Sequence, residues 1–93
     1  MDIEWDEKKN QLNIQKHGIA FEDVAQVFEK PMLVKIDDRQ DYGETRWAGL
    51  GKLENAVIFV VYTIRQEKVR LISVRRANRY ERKAYKEKFE KSH

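Results

Sequence analysis

Three arginines, Arg75, Arg76 and Arg79, sit close together in the stretch VRLISVRRANRYERKAY, from Val69 to Tyr85. A guanidinium is a planar fork of N–H donors that matches phosphate oxygens, so three at one joint suit phosphodiester binding and stabilisation of charge on phosphorus. RNA carries its own nucleophile, the 2′-hydroxyl. Its cleavage needs in-line positioning, proton transfer and that charge stabilisation, all within reach of arginine, lysine and tyrosine. The proton-transfer candidates are His17, Lys16 with a lowered pKa, and a tyrosine, Tyr85 or Tyr62. Each has a plainer reading. Tyr62 suits a core, Tyr85 a helix surface and Arg76 an ion pair with an acidic residue. Lys16 and His17 suit a basic last turn that complements a helix dipole. Spacing alone leaves enzyme and binder both open.

Other chemistries find less support. The chain has no cysteine, and its two histidines, His17 and His93, lie far apart in sequence, so no metal-ligand spacing occurs. Asp37, Asp38, Asp41 and Glu44 in DDRQDYGE lack the ligand spacing of a calcium loop and read as a solvated turn. GLGK at Gly49 to Lys52 is too short for a phosphate-binding loop and lies in a strand-like segment, and Ser73 lacks a hydrolase signature. No cofactor or metal is expected.

Ninety-three residues, 41% hydrophobic and 38% charged, suit a single globular domain over 1–93 sharing one core. No apolar run approaches the roughly 20 residues that span a bilayer, and MDIEWDEKK lacks a signal peptide's apolar centre, so a cytoplasmic protein without membrane partners is expected. Net charge is only +3 but uneven: residues 1–64 carry 8 basic and 12 acidic side chains, and residues 65–93 carry 11 and 4. The basic end is either a polyanion-facing surface or a solvated helix.

The elements that must position these groups follow from pattern. Ile3 and Trp5 alternate with acidic residues as a short strand. Asp6 suits the N-cap of EKKNQLNIQKHG, a polar helix with a narrow stripe at Leu12 and Ile14 that stops at Gly18. Phe21, Val24, Ala25 and Phe28 have the spacing of one helix face, and Pro31 ends it. Strands are expected over Met32–Ile36 and Arg46–Leu53. AVIFVVYTI, an almost continuous apolar run, should be central, and Val69–Arg76 should close an antiparallel meander. Asn78 and Glu81 have capping-box spacing for a last helix, about Asn78–Glu90, that buries Tyr80, Ala84 and Phe89. The fold class is α+β: a small antiparallel sheet with two N-terminal helices on one face and a C-terminal helix. Alternation puts Ser73 and Arg75 on the open face and Ile72 and Val74 in the core, with Arg76 free to turn either way at the strand's end.

IEWDEKKNQLNIQKHGIAFEDVAQVF, DYGETRWAGLG, VIFVVYT and LISVRRANRYERKAY together resemble the BrnT family, the toxin half of a bacterial type II toxin–antitoxin system. The resemblance covers nearly the whole chain. It implies a RelE-like fold and a metal-independent endoribonuclease that inhibits translation. It also implies a BrnA-type antitoxin partner, through whose DNA-binding module the complex reaches operator DNA. Carried over by position, it makes Arg46, Arg75, Arg79 and Tyr85 the first choices for catalysis and RNA contact, with Lys16, His17, Tyr62 and Arg76 behind them. Trp5 is explained by packing, Asp6 and Glu81 by capping and Gly18 by the helix stop. Which group is base and which acid stays open. The alternatives are a non-enzymatic nucleic-acid-binding module, or a co-repressor subunit acting only with its partner.

Overall fold

A computed structural model of the chain describes residues 2–90; His93 lies outside them. Strand β1 (Ile3–Trp5) leads into helix α1 (Glu7–His17) and helix α2 (Phe21–Val24), which continues as a 3-10 segment (Ala25–Glu29). Strands β2 (Leu33–Ile36), β3 (Arg46–Leu53), β4 (Ala56–Arg65) and β5 (Lys68–Arg76) follow, then helix α3 (Arg79–Phe89). The sheet order is β1-β5-β4-β3-β2. Strands β2 to β5 pair antiparallel in sequence, as the meander predicts, with apolar β4 in the centre. The sheet is nevertheless mixed rather than wholly antiparallel, because β1 joins the far edge parallel to β5, Ile3 beside Val69. A crossover through the helices and the other strands separates this pair, which frees β1 to run in either direction.

One sheet face carries the main core. Ile58, Val60 and Tyr62 of β4 and Val69, Leu71 and Val74 of β5 meet Phe21, Val24 and Val27. The helix expected over Phe21–Phe28 holds α geometry for only four residues. Its deeply buried positions are Phe21, Val24 and Val27, spaced by three as a 3-10 repeat requires, so Val27 takes the place expected of Ala25. Strand β3 meets this segment closely. A Cβ on Gly51 would collide with Val27 Cγ1, and one on Gly49 would lie 2.8 Å from Met32 Cε, so glycine at these strand positions permits the approach.

Helix α1 starts as expected. Asp6 accepts from the Lys8 and Lys9 amides, and Gly18, at φ 70°, ends the helix. Its inward stripe is not Leu12, which is 64% exposed, but the amides of Asn10 and Asn13. Asn10 Oδ1 accepts from Phe21 N–H, and its Nδ2 donates to Glu22. Asn13 Nδ2 donates to the Ile19 carbonyl, while its Oδ1 accepts from Val74 N–H. Strand β1 stops opposite Leu71, so Asn13 satisfies a sheet-edge donor that β1 does not reach.

A bulge lies in this stretch of β5. Val61 pairs with Ser73 and Tyr62 with Leu71, so Ile72 is the extra residue. It turns outward, half-buried, and Leu71 and Val74 point into the core in its place. Simple alternation, which put Ile72 in the core, fails there.

On the other face α3 packs Tyr85 and Phe89 against Leu50, Leu33, Val57 and Ala77. The expectation that Tyr80 and Ala84 are buried is corrected: both are exposed, and Tyr85 is the buried residue of this helix. The Asn78–Glu81 capping box is present in both directions.

Candidate functional site

Face and register decide which side chains meet. On the α3 face Arg75 lies beside Phe59, which lies beside Leu50, and one end of the same face carries Arg46 beside Thr63 and Arg70. The Arg75 Cζ sits 4.1 Å from the centre of the Phe59 ring. Glu81 grips that guanidinium at two points, Nη1 to Oε1 at 2.8 Å and Nη2 to Oε2 at 2.9 Å. The same carboxylate accepts from the Asn78 amide. One N3 glutamate thus caps α3 and fixes Arg75. The Arg75 fork chiefly, with Asn78 N–H and the charge of Lys35, holds the Glu81 carboxyl below the usual carboxylate range. As expected, Arg75 projects from the α3 face.

Arg46 stacks its guanidinium 4.0 Å from the Tyr42 ring centre, with its Nε 3.7 Å from Glu44. That Nε is the sole buried side-chain nitrogen or oxygen lacking a hydrogen-bond partner among the described residues. Arg65 holds Glu44 from the other side with two 3.0 Å bonds. The loop after β2 adds an arginine that sequence reasoning missed. Arg39 forks onto Asp37 at 2.7 and 2.8 Å and brings its Cζ to 5.9 Å from the Phe59 ring centre. The only clue lay in the polar stretch DDRQDYGE, read as a solvated turn. Arginine, aromatic and carboxylate therefore recur together along one face.

Between this face and α3 runs a groove of about 350 Å³, walled by Leu33, Leu50, Phe59 and Ala84 and edged by Lys35, Tyr80 and Glu81. Tyr80 and Lys35, also unmarked in the sequence, bring exchangeable protons to it. Arg79, on the first turn of α3, donates to the Tyr80 hydroxyl at 3.3 Å and is exposed.

The other sequence candidates are elsewhere. Arg76 points from the opposite face into a recess lined by Gly18, Asp23 and Glu54, so Arg75, Arg76 and Arg79 do not converge. Strand alternation separates neighbours and forbids it. Tyr62 is buried on the helical face, 5.0 Å and edge-on to Phe28, and burial pushes its phenol pKa up, away from proton transfer. Tyr85 is 7% exposed and packs 4.9 Å from Phe89 in the core under α3, not on the helix surface. Lys16 and His17 line a shallow recess beside Ile72 and Ser73, separate from the residues around Phe59. No cluster of three histidine, aspartate or glutamate side chains suited to a metal occurs among the described residues.

What the face can do is hold an anion against fixed guanidiniums and present aromatic rings beside them. No curated protein matches the chain. A family model does, described as the ribonuclease toxin, BrnT, of a type II toxin–antitoxin system, over residues 5–81. The match includes Arg39, Arg46, Phe59, Arg75, Arg79, Tyr80 and Glu81 and stops before Tyr85. An arginine-rich open sheet face, in a chain matched over that length, identifies this protein as a member of the BrnT family of ribonuclease toxins of type II toxin–antitoxin systems.

Proposed function

We propose that the protein is a metal-independent endoribonuclease that inhibits translation by cutting RNA across the α3 face, and that a BrnA-type antitoxin neutralises it. The observation that carries this reading is the Arg75 guanidinium held over Phe59 by Glu81 at the rim of an open groove. A guanidinium fixed before substrate arrives stabilises developing charge on phosphorus without reorganising. Arg79 and Arg46 extend the cationic surface to either side. Tyr80 and Lys35 are the proton-transfer groups that this geometry favours, replacing Tyr85 and Tyr62. Folding as a RelE-like toxin, working in the cytoplasm and reaching operator DNA only through the antitoxin all belong to the same proposal.

A second reading draws on one observation. No histidine lines the groove, so a module that binds RNA without cutting it fits the same surface. One assay separates the two: purified protein with a defined RNA in excess EDTA, product ends mapped, and Arg75→Ala alongside. Cleavage by the wild type alone, leaving cyclic or 3′-phosphate ends, supports the enzyme. Salt-dependent binding with no cleavage, here and in a ribosome-containing translation system, supports the module.

A further inference from the structure

Asp37 is the one buried carboxylate among the described residues, and its partner is not buried with it. The Asp37 side chain is 2% exposed, whereas that of Arg39 is 64% exposed. A carboxylate taken out of water needs compensation, and Asp37 receives it from Arg39 Nε and Nη2, from the Arg39 amide and from the Tyr42 hydroxyl. The pair does not fill the core. It fixes an exposed guanidinium in a loop that would otherwise leave such a side chain free to move. The place at which it is fixed is the Phe59 ring, 5.9 Å from Arg39 Cζ and 4.1 Å from Arg75 Cζ.

The remaining donors decide what this arrangement can hold. Asp37 engages Arg39 through Nε and Nη2, which leaves both N–H groups of Nη1 for an anion. Glu81 engages Arg75 through Nη1 and Nη2 and the Arg76 carbonyl takes the other Nη1 proton, which leaves Nε–H and one N–H of Nη2. The outer planes of the two guanidiniums, backed by the Phe59 ring, offer flat surfaces for a nucleobase, with phosphate donors at the margin. A base inside a duplex has both faces covered by its neighbours and cannot use such surfaces. We propose that Arg39 and Arg75 bracket the Phe59 ring as a clamp for one unpaired nucleotide of RNA, with Asp37 as the positioning residue for Arg39. This inference rests on the ribonuclease reading and adds a substrate preference, single-stranded over duplex RNA.

The test separates binding from cleavage. A fluorescent single-stranded RNA with 2′-O-methyl at every position, which cannot be cut, is titrated by anisotropy, and its duplex form is run beside it. Wild type, Arg39→Ala, Arg39→Lys and Phe59→Leu are compared, with folding checked by thermal melting and cleavage of unmodified RNA measured in parallel. About tenfold weaker single-strand binding is expected for Arg39→Ala and Phe59→Leu, in line with the loss of one stacking contact. Arg39→Lys, which keeps the charge and loses the fork and the plane, should recover little of it. Duplex binding should be weaker throughout and indifferent to these changes. In cleavage, Arg39→Ala should raise KM and spare kcat. Full affinity in Arg39→Ala or in Arg39→Lys, or equal binding of duplex, overturns the clamp and leaves the ribonuclease reading standing. A wild type that neither binds nor cuts RNA overturns both. Loss of antitoxin binding with RNA binding intact assigns Arg39 to the protein interface instead.

Discussion

The Glu81 carboxylate holds the Arg75 guanidinium with two bonds and the Asn78 amide with a third, so one side chain both starts α3 and aims the arginine. Glu81→Gln separates the two duties. Glutamine caps a helix start nearly as well as glutamate, but it cannot offer a charged two-oxygen fork. The variant should stay folded, with a modest loss of melting temperature from the missing ion pair, and cut RNA more slowly, with most of the loss in kcat. Arg75→Ala, which removes the guanidinium itself, should lower kcat by about a hundredfold or more, as loss of a fixed donor to a developing anion does. A folded Arg75→Ala protein with full cleavage would remove Arg75 from the mechanism.

Gly51→Ala should destabilise the fold by about 1–3 kcal/mol, the usual effect of overpacking a well-filled core. The new Cβ collides with Val27, itself buried against β3, so neither side can give. Gly43→Ala supplies the contrast. Gly43 has open space around it and strain only from its φ of 71°. Urea midpoints should fall for both, and further for Gly51→Ala.

Much of this architecture was legible in the sequence because it depends on local signals. Asp6, Gly18 and the Asn78–Glu81 pair mark helix ends by direct bonds to nearby backbone, and β4 reads as central because an almost continuous apolar run leaves no solvent face. What escaped depends on partners distant in the chain. The buried stripe of α1 consists of asparagines because the Val74 amide, 61 residues away, needs an acceptor, and no hydropathy pattern marks that. The bulge at Ile72 reverses alternation only because of how β4 pairs. At the site, the abundance of arginine was readable, and so was the face from which Arg75 projects. Arg39, Phe59 and Tyr80 were not, since the first belongs to a loop and the others come together only through sheet register and the packing of α3.

Replacing Asn13 by leucine should cost about 1–3 kcal/mol even though the change adds apolar surface. The Val74 amide and the Ile19 carbonyl would both lose their partner in a buried setting. Hydrogen exchange at Val74 should accelerate before the protein unfolds globally. Protection equal to the wild type would mean that another group caps that edge.

Acid should unfold the protein partly through two carboxylates. Asp37 is held low mainly by Arg39, and Glu81 mainly by Arg75. A carboxylate with a depressed folded pKa contributes stability that is present above its unfolded pKa, about 4, and is lost as pH falls through the folded value. The melting temperature should therefore decline below about pH 4. Asp37→Asn and Glu81→Gln should each flatten that decline and lower stability at neutral pH. A slope unchanged in both variants would assign the acid sensitivity to other groups.

The tyrosines offer the sharpest contrast between burial and chemistry. Tyr62 keeps its ring in the core against Phe28, with its phenol pushed toward the protonated form, so Tyr62→Phe should leave cleavage within about twofold of the wild type. Tyr80 is 73% exposed, edges the groove with Glu81 and Phe59, and accepts a bond from Arg79. That bond orients a hydroxyl that can donate or accept a proton at the edge of the groove. Tyr80→Phe should thus reduce kcat about a hundredfold, the low end of what a positioned acid or base contributes. If Tyr80→Phe cuts RNA at the wild-type rate while Lys35→Ala does not, the proton passes through Lys35, across the same groove.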